Sequence, residues 1–332
     1  MRRVAREAAL NTDDKAAQAL SEDWGIKLDG KQINRWAFRL GLRLQAERDA
    51  EVTASESGRR PAAPENPPAL LVIGPDGGRV QMEEKDPETG SRWREDKVLT
   101  VTSYVPGDGK EKAPEPLVTT HVASMAKTEE FGRIARVEAE RRGWKQAAQV
   151  LVIADCGNWI DPLVEREFPG SERIADWSHA KEHLYECGRA MSDGKHTPEA
   201  QARAKYWTDL LWAGKTAEVV AHLKQGSREL GKPQPQDGRD HPRRSMAQNV
   251  GYFEKNQAHM HYPEYRAKGW PIGSGNTEAG VKQFNKRVKG TEQFWSAEGV
   301  EAILCLRGLW LSQDGRWAAY WRNRPAYVKR AA

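Results

Sequence analysis

The chain lacks the long apolar runs and the paired cysteines that would place it in a membrane or an oxidising compartment. No apolar stretch in its 332 residues approaches the roughly 20 residues of a membrane-spanning helix, and the mean hydropathy is −0.80. The first residues are basic and polar and do not resemble the apolar core of a signal peptide. Its three cysteines include no CxxC pair, which disfavours a disulfide framework and a cysteine-based zinc site. These absences predict a cytoplasmic protein with no membrane partner.

Positive charge is concentrated in the last third of the chain. The net charge is only +5, from 52 Lys/Arg and 47 Asp/Glu. Residues 243–290 hold nine Lys/Arg and three Glu, a net charge of +6, and residues 304–330 hold six Lys/Arg and one Asp, a net charge of +5. Such an asymmetry favours a polyanion partner, because bound cations on DNA are released when a basic surface replaces them.

Two helical patterns joined by a short glycine-containing segment occupy residues 1–50. They cover 16–24 and 31–46, and Asp29 can cap the second. Two helices around such a turn suit a helix-turn-helix DNA reader, with Lys31 and Arg35 among the residues available to DNA. A helical hairpin without any DNA-binding role has the same pattern, so that alternative stays open. Residues 51–68, rich in Ser, Pro and charge, are typical of a linker.

The middle of the chain predicts an α/β layer. Strand-like runs at 69–73 and 92–105 precede a polar loop at 106–116, a helix at 127–143, a buried strand at 149–154, a helix at 159–168 and a short strand at 173–175. We therefore expect a mixed sheet flanked by helices at 69–180, an all-helical insertion at 181–268 with a polar loop near 231–242, and a final helical part of the core at 269–332.

Acidic residues follow several of these strands. Asp155 comes directly after the buried strand, where ligands gather in α/β sheets, although an aspartate there could also cap the next helix. Asp176 follows the short strand at 173–175, and helix capping is the simpler explanation for it. Asp76 lies in Pro-Asp-Gly-Gly (75–78), which from the residues alone is better explained as a turn.

One late helix combines an acid with several bases. In the segment from Gly273 to Gly290, a helical wheel places Glu278 on one face with Lys282 and Lys289, beside an apolar stripe of Val281, Phe284 and Val288. A carboxylate that only interacts favourably with the helix dipole would give the same sequence pattern. Together with two strand-end aspartates, however, Glu278 could hold two Mg²⁺ ions about 4 Å apart for phosphodiester chemistry, since Mg²⁺ prefers oxygen ligands.

Several motifs occur in an order that resembles a known family. They are Asp-Gly-Gly-Arg-Val (76–80), Trp-Arg-Glu-Asp-Lys-Val (93–98), Ala-Asp-Cys-Gly-Asn-Trp-Ile (154–160), Phe-Pro (168–169), Ala-Asp-Trp-Ser-His-Ala (175–180), Gly-Ser-Gly-Asn-Thr-Glu (273–278), Lys-Arg-Val-Lys-Gly (286–290), Phe-Trp-Ser (294–296) and Leu-Arg (306–307). Over residues 70–321 the chain resembles a DDE-type transposase of a bacterial insertion sequence of the ISKra type.

This resemblance implies a ribonuclease-H-like catalytic core with Asp76, Asp155 and Glu278 as its metal-binding catalytic triad. The resemblance thereby favours a catalytic role for Asp76 over the interpretation of residues 75–78 as a turn. It implies two Mg²⁺ ions, for which Mn²⁺ can substitute, and positioning roles for Asp176 and His179. The basic residues expected to hold DNA phosphates are Lys282, Lys286, Arg287 and Lys289, with Lys31 and Arg35 in the N-terminal region.

The expected activity is Mg²⁺-dependent hydrolysis and strand transfer at transposon ends. Its partners would be double-stranded DNA, as transposon end and as target, and further copies of the chain assembled on that DNA in the bacterial nucleoid. Two alternatives remain open. One is a truncated or repurposed DNA-binding protein without catalysis, and the other is a metal-dependent nuclease of the same fold.

Overall fold

A five-stranded mixed sheet forms the centre of the protein. The structure is a computed structural model that describes residues 1–290 and 293–322. The strands, in the spatial order β3-β2-β1-β4-β5, are β1 (Leu70–Gln81), β2 (Trp93–Val105), β3 (Glu115–Ser124), β4 (Gln149–Ala154) and β5 (Glu172–Ala175). β1, β2 and β3 are antiparallel neighbours, whereas β4 and β5 run parallel to β1. The expected fold class is confirmed: an α/β mixed sheet flanked by helices, compatible with a ribonuclease-H-like fold.

β1 overturns the interpretation of residues 75–78 as a turn. This strand pairs with β2 along its whole length, and Asp76 lies opposite Val98. The parallel ladder to β4 ends at Ile73, so Pro75 needs no N–H donor on that side. Long-range pairing with β2 therefore overrides the turn propensity of Pro-Asp-Gly-Gly.

The other core elements follow the predicted order. β2, β4 and β5 lie where strands were expected, and the predicted helices are α4 (Thr128–Arg141) and α5 (Ile160–Glu167). β3, which follows the polar loop, was not predicted from the sequence. α4 and α5 pack on one face of the sheet through an apolar cluster that includes Ile73, Val152 and Phe131.

Three helices, not two, form the N-terminal region. They are α1 (Arg2–Leu10), α2 (Asp13–Trp24) and α3 (Gly30–Glu56). Asp29 caps α3 as expected, because it accepts a 2.7 Å hydrogen bond from the Gln32 N–H while the Gln32 side chain accepts one from the Asp29 N–H. The predicted linker begins too early, since α3 continues to Glu56 and residues 51–56 are helical.

The second face of the sheet is covered by two groups of helices. The insertion supplies α6 (Trp177–Ala190), α7 (Pro198–Trp212), α8 (Thr216–Leu230), α9 (Pro242–Asn256) and α10 (Tyr262–Ala267), which cover one half through a cluster containing Leu70, Val72 and Ile153. The other half is covered by α11 (Gly275–Val288) and α12 (Ala297–Leu311). A last helix, α13 (Arg316–Arg322), ends the described chain.

The N-terminal helices are packed onto the core. Their apolar side chains share one cluster with α11 and α12, and Gly41 of α3 lies so close to the Ala302 backbone that a Cβ atom would collide with it. Within residues 1–290 and 293–322, no helix is long and apolar enough to cross a membrane.

Candidate active site at the carboxyl end of the sheet

Three aspartates lie at the same end of the parallel strands. β1 pairs with β4 up to Ile73 and Val152, and β4 pairs with β5 up to Ala154 and Ala175. The Asp176 N–H donates to the Ala154 carbonyl oxygen at 3.0 Å, so the β4–β5 register continues to Asp155 and Asp176. Asp76 lies three residues beyond the last β1–β4 pair, at the same end of the parallel strands. Two of these are the strand residues of the predicted triad.

Asp155 is presented by a sharp turn after β4. Cys156, the next residue, has a φ of 65°, in the left-handed region that non-glycine residues seldom adopt. The Gly157 N–H then donates a 3.1 Å hydrogen bond back to Asp155 Oδ1. Backbone conformations of this kind are costly and cluster at functional sites, so the turn supports a role for Asp155 beyond capping a helix.

Asp76 is half-buried and lies within electrostatic reach of the other expected acids. Burial raises the pKa of Asp76 to about 6, opposed by a 2.6 Å hydrogen bond from the Gly77 N–H. The charges of Asp155 and Glu278 raise this pKa further, whereas His179 lowers it. Asp155, Glu278 and His179 therefore all lie within electrostatic reach of Asp76.

Glu278 is placed by the docking of α11 onto the sheet. Gly74 of β1 lies against Thr277, and a Cβ at Gly74 would overlap the Thr277 hydroxyl and come within 2.7 Å of Thr100 Oγ1. The two threonine hydroxyls are hydrogen-bonded at 2.8 Å. Because Thr277 is fixed there, the neighbouring Glu278 lies at the same end of the sheet as Asp76. The apolar stripe of α11 is buried as predicted.

Asp176 positions the helices around the site. It is fully buried, and its carboxylate accepts hydrogen bonds from the His179 N–H, at the start of α6, and from the Ser274 N–H, just before α11. Its own N–H donates to the Ala154 carbonyl oxygen at 3.0 Å. Capping was the expected role of Asp176, and the structure adds the link to α11. This link could not be detected from the sequence, because it joins residues 98 positions apart.

The donor atoms of the triad suit a hard cation. Asp76, Asp155 and Glu278 offer only carboxylate oxygens, which are the ligands that Mg²⁺ and Mn²⁺ prefer. Within the described part of the chain, however, no three His, Cys, Asp or Glu side chains are close enough together to hold a metal ion. The three acids therefore fit such an ion by chemistry, and they would have to approach one another to hold it.

The predicted phosphate-binding residues fall into two groups. Lys282, Lys286 and Lys289 are exposed on α11, and Lys31 and Arg35 are exposed on α3. Lys282 also forms a 3.2 Å ion pair with Glu278. The assignment of Arg287 to DNA binding is wrong. Its side chain is 3% exposed and donates to the Ala8 carbonyl oxygen and to Asp13 Oδ1, so it holds the N-terminal helices on α11.

Two further site residues went unrecognised in the sequence. Cys156 carried no signal, because a single cysteine between an aspartate and a glycine does not predict a left-handed backbone. Gly74 did carry one, since a glycine inside a strand often marks a close approach by another element. Its position directly before Pro-Asp-Gly-Gly made it look like part of a turn.

Comparison with known proteins gives only a weak structural similarity. No model of a protein family matches the chain, and no curated protein sequence matches it. Among solved structures, it is similar to a chain of the Drosophila P element transposase strand transfer complex. The TM-score is 0.39 and the identity 10%, over 94% of this chain and 92% of that chain. The similarity is weak.

Proposed function

We propose that the chain is a DDE-type transposase, which hydrolyses a phosphodiester at the ends of a bacterial insertion sequence and joins the freed 3′-hydroxyl to target DNA. The observation that carries this proposal is that Asp155, directly after β4, and Glu278 of α11 both lie within electrostatic reach of Asp76 in β1. Carboxylates that raise one another's pKa repel, and a bound cation would remove that repulsion. Their convergence therefore supports a metal-dependent role more strongly than three separate helix caps would.

The three acids would hold two Mg²⁺ or Mn²⁺ ions. When bound, such ions lower the pKa of a water or hydroxyl and stabilise the oxygen that leaves the phosphate. The chain's own residues position the acids that would hold these ions. Asp176 and Gly74 fix where α11 docks and thereby where Glu278 lies, and Asp155 is oriented by the turn at Cys156.

The exposed lysines of α11 would bind the DNA backbone. Lys282, Lys286 and Lys289 lie on the helix that carries Glu278, so a phosphate strand along this helix passes the acids. Lys31 and Arg35 offer a second basic surface on α3. Transposon ends, target DNA and a further copy of the chain are the partners that this activity requires.

Divalent-dependent strand cleavage and joining test the proposal. The wild type should cut a duplex that carries the element's end only when Mg²⁺ or Mn²⁺ is present, and should join a labelled 3′-hydroxyl end to plasmid DNA. Asp76→Asn, Asp155→Asn and Glu278→Gln should each abolish both steps without lowering the melting temperature, whereas Asp29→Asn, at an exposed cap, should leave them intact. Equal cleavage by the wild type and Glu278→Gln would refute the assignment.

One observation favours a second candidate, a DNA-binding protein without catalysis. In the described residues the acids are not close enough to hold an ion in the absence of a ligand. Calorimetric titration with Mn²⁺ separates the two proposals. A transposase should bind Mn²⁺ in the wild type and lose that binding in Glu278→Gln, whereas a non-catalytic protein should bind DNA but no Mn²⁺. Cleavage without joining would instead point to a nuclease.

A further inference from the structure

Two large aromatic side chains are exposed at the far end of β1. Trp93 is 38% exposed and Phe294 is 45% exposed. Trp93 pairs with Gln81 on one side of the strand, and on the other side the Trp295 N–H donates to the Gln81 carbonyl oxygen at 3.0 Å. The two exposed rings therefore flank the same strand end. Trp295 itself is only partly exposed, and its indole N–H donates to the Val288 carbonyl oxygen at 2.9 Å.

Each exposed ring has a cation beside it. Lys289 Nζ lies 5.5 Å from the centre of the Trp93 ring, and the Arg92 guanidinium lies 5.4 Å from the centre of the Phe294 ring. Lys289 belongs to the exposed basic face of α11, which also carries Lys282. Aromatic faces interleaved with cations are the usual surface for single-stranded nucleic acid, because bases stack on the rings while the cations bind phosphates.

A cavity of about 470 Å³ opens beside Phe294. It lies between α3 and the segment 293–296, and its walls include Phe38, Trp295, Glu83 and Asn34, whose amide N–H donates to Asp13 Oδ2 at 2.8 Å. Aromatic walls beside carboxylate acceptors suit a planar molecule with N–H donors, such as a nucleobase. A base that stacks on Phe294 therefore has space next to it.

The position of these rings relative to the acids fits a bound strand. Gln81 lies five residues beyond Asp76 on β1, which is about 17 Å at 3.4 Å per residue. Lys289 lies eleven residues beyond Glu278 on α11 and at its end, which is about 16 Å at 1.5 Å per residue. Both estimates correspond to about five nucleotides of a B-form strand at 3.4 Å each.

We infer that Trp93 and Phe294 stack on unpaired bases of the DNA strand that α11 binds, about five nucleotides from the phosphate held near Asp76. This inference rests on the proposed function and specifies its substrate. A paired base hides its faces in the helical stack, so only a frayed or single-stranded end can use the rings. The protein should therefore prefer DNA with a single-stranded tail to a blunt duplex of the same sequence.

Fluorescence anisotropy in the presence of EDTA tests this preference without any cleavage. The wild type should bind a tailed duplex more tightly than a blunt one. Phe294→Ala and Trp93→Ala should each raise the Kd for the tailed duplex by about fivefold or more, as the loss of one base–aromatic stack predicts, and leave the Kd for the blunt duplex unchanged. Phe294→Tyr, which keeps an aromatic face, should retain the preference.

A matched control is Tyr206→Ala, which removes a 51% exposed ring from α7 in the helical insertion. It should change neither Kd, and thermal denaturation should show that every variant is folded. Equal wild-type affinity for tailed and blunt DNA would overturn the stacking inference alone. A preserved tail preference in a protein that never cuts DNA would instead overturn the catalytic proposal alone.

Discussion

Asp176 connects two helices of the candidate site through one side chain. Its carboxylate accepts the N–H groups of His179 and Ser274, so one residue fixes the starts of both α6 and α11. Because the carboxylate is fully buried, its removal leaves both N–H groups without an acceptor in a site shielded from bulk solvent. The geometry of Glu278 therefore depends on a residue that need not touch DNA or metal.

Replacement of Asp176 should cost stability and activity together. Asp176→Ala leaves two buried N–H groups without an acceptor, so the free energy of unfolding should fall by about 3 kcal/mol. Asp29→Ala, which removes the exposed cap of α3, should cost only about 1 kcal/mol. Urea denaturation measures both losses, and the Asp176 variant should also cut DNA more slowly. Equal losses in the two variants would show that the link to α11 contributes nothing.

Individual residues were predictable where local chemistry decided their role. Capping by Asp29 and Asp176 and the apolar stripe of α11 followed from short segments, and the structure confirms them. The catalytic roles of Asp155 and Glu278 stay predictions. Arg287 was assigned wrongly because its burial depends on α1 and α2, about 280 positions earlier in the chain. A helical wheel shows which residues share a face, but it cannot show which distant element covers that face.

At the scale of elements, the contact between α11 and β1 sets the distance between Glu278 and Asp76. The helix approaches the strand at Gly74, where the absence of a side chain makes room for Thr277. Any Cβ atom at Gly74 must displace the threonine, and α11 with it. The position of α11 thus depends on the absence of a Cβ atom at Gly74.

A substitution that fills this space should displace α11. Gly74→Ala should lower the free energy of unfolding by about 1–3 kcal/mol and reduce DNA cleavage strongly. The double variant Gly74→Ala/Thr277→Ala should recover part of both, because the second change removes the overlapping hydroxyl. Differential scanning calorimetry and the cleavage assay measure the two effects.

The control for this series is Gly251→Ala in α9, where an added Cβ meets no atom within 4 Å. It should be neutral or slightly stabilising, because alanine favours a helix over glycine. If Gly74→Ala behaved in the same way, close docking at Gly74 would not determine the position of Glu278.

Elements were predicted well when a continuous pattern defined them. β4 is a run of apolar residues whose predicted bounds match the structure, and most helices followed from periodicity. The second half of β1 escaped detection because Pro-Asp-Gly-Gly favours a turn locally, whereas pairing with β2 supplies the hydrogen bonds that make it a strand. Information of that kind lies in the partner strand, not in the segment itself.

At the scale of the whole molecule, the concentration of positive charge in the last third of the chain predicts how DNA binding should respond to salt. The triple variant Lys282→Gln/Lys286→Gln/Lys289→Gln should weaken DNA binding and reduce the slope of log K against log salt by about 0.9 for each phosphate that is no longer neutralised. A control that replaces Lys195, Lys215 and Lys224, which are exposed in the insertion, changes net charge equally and should keep the slope. Binding titrations over a range of salt concentrations would measure this, and identical slopes in both variants would remove α11 from the DNA interface.

The same titration tests the revised role of Arg287. Arg287→Gln should leave the salt slope unchanged but lower the free energy of unfolding by about 2 kcal/mol or more, since a buried guanidinium and its two acceptors lose their hydrogen bonds. A reduced slope at full stability would instead restore Arg287 to the DNA-binding residues.

The end of the β1–β4 ladder at Ile73 divides the sheet into two branches. Beyond this fork, β1 continues with β2 and carries Asp76, while Asp155 leaves with the chain that turns toward α5. The separation of the two carboxylates can therefore change without breaking a hydrogen bond between β1 and β4. If the two acids bind a cation as proposed, this fork lets Asp76 and Asp155 approach each other while the β1–β4 ladder stays intact.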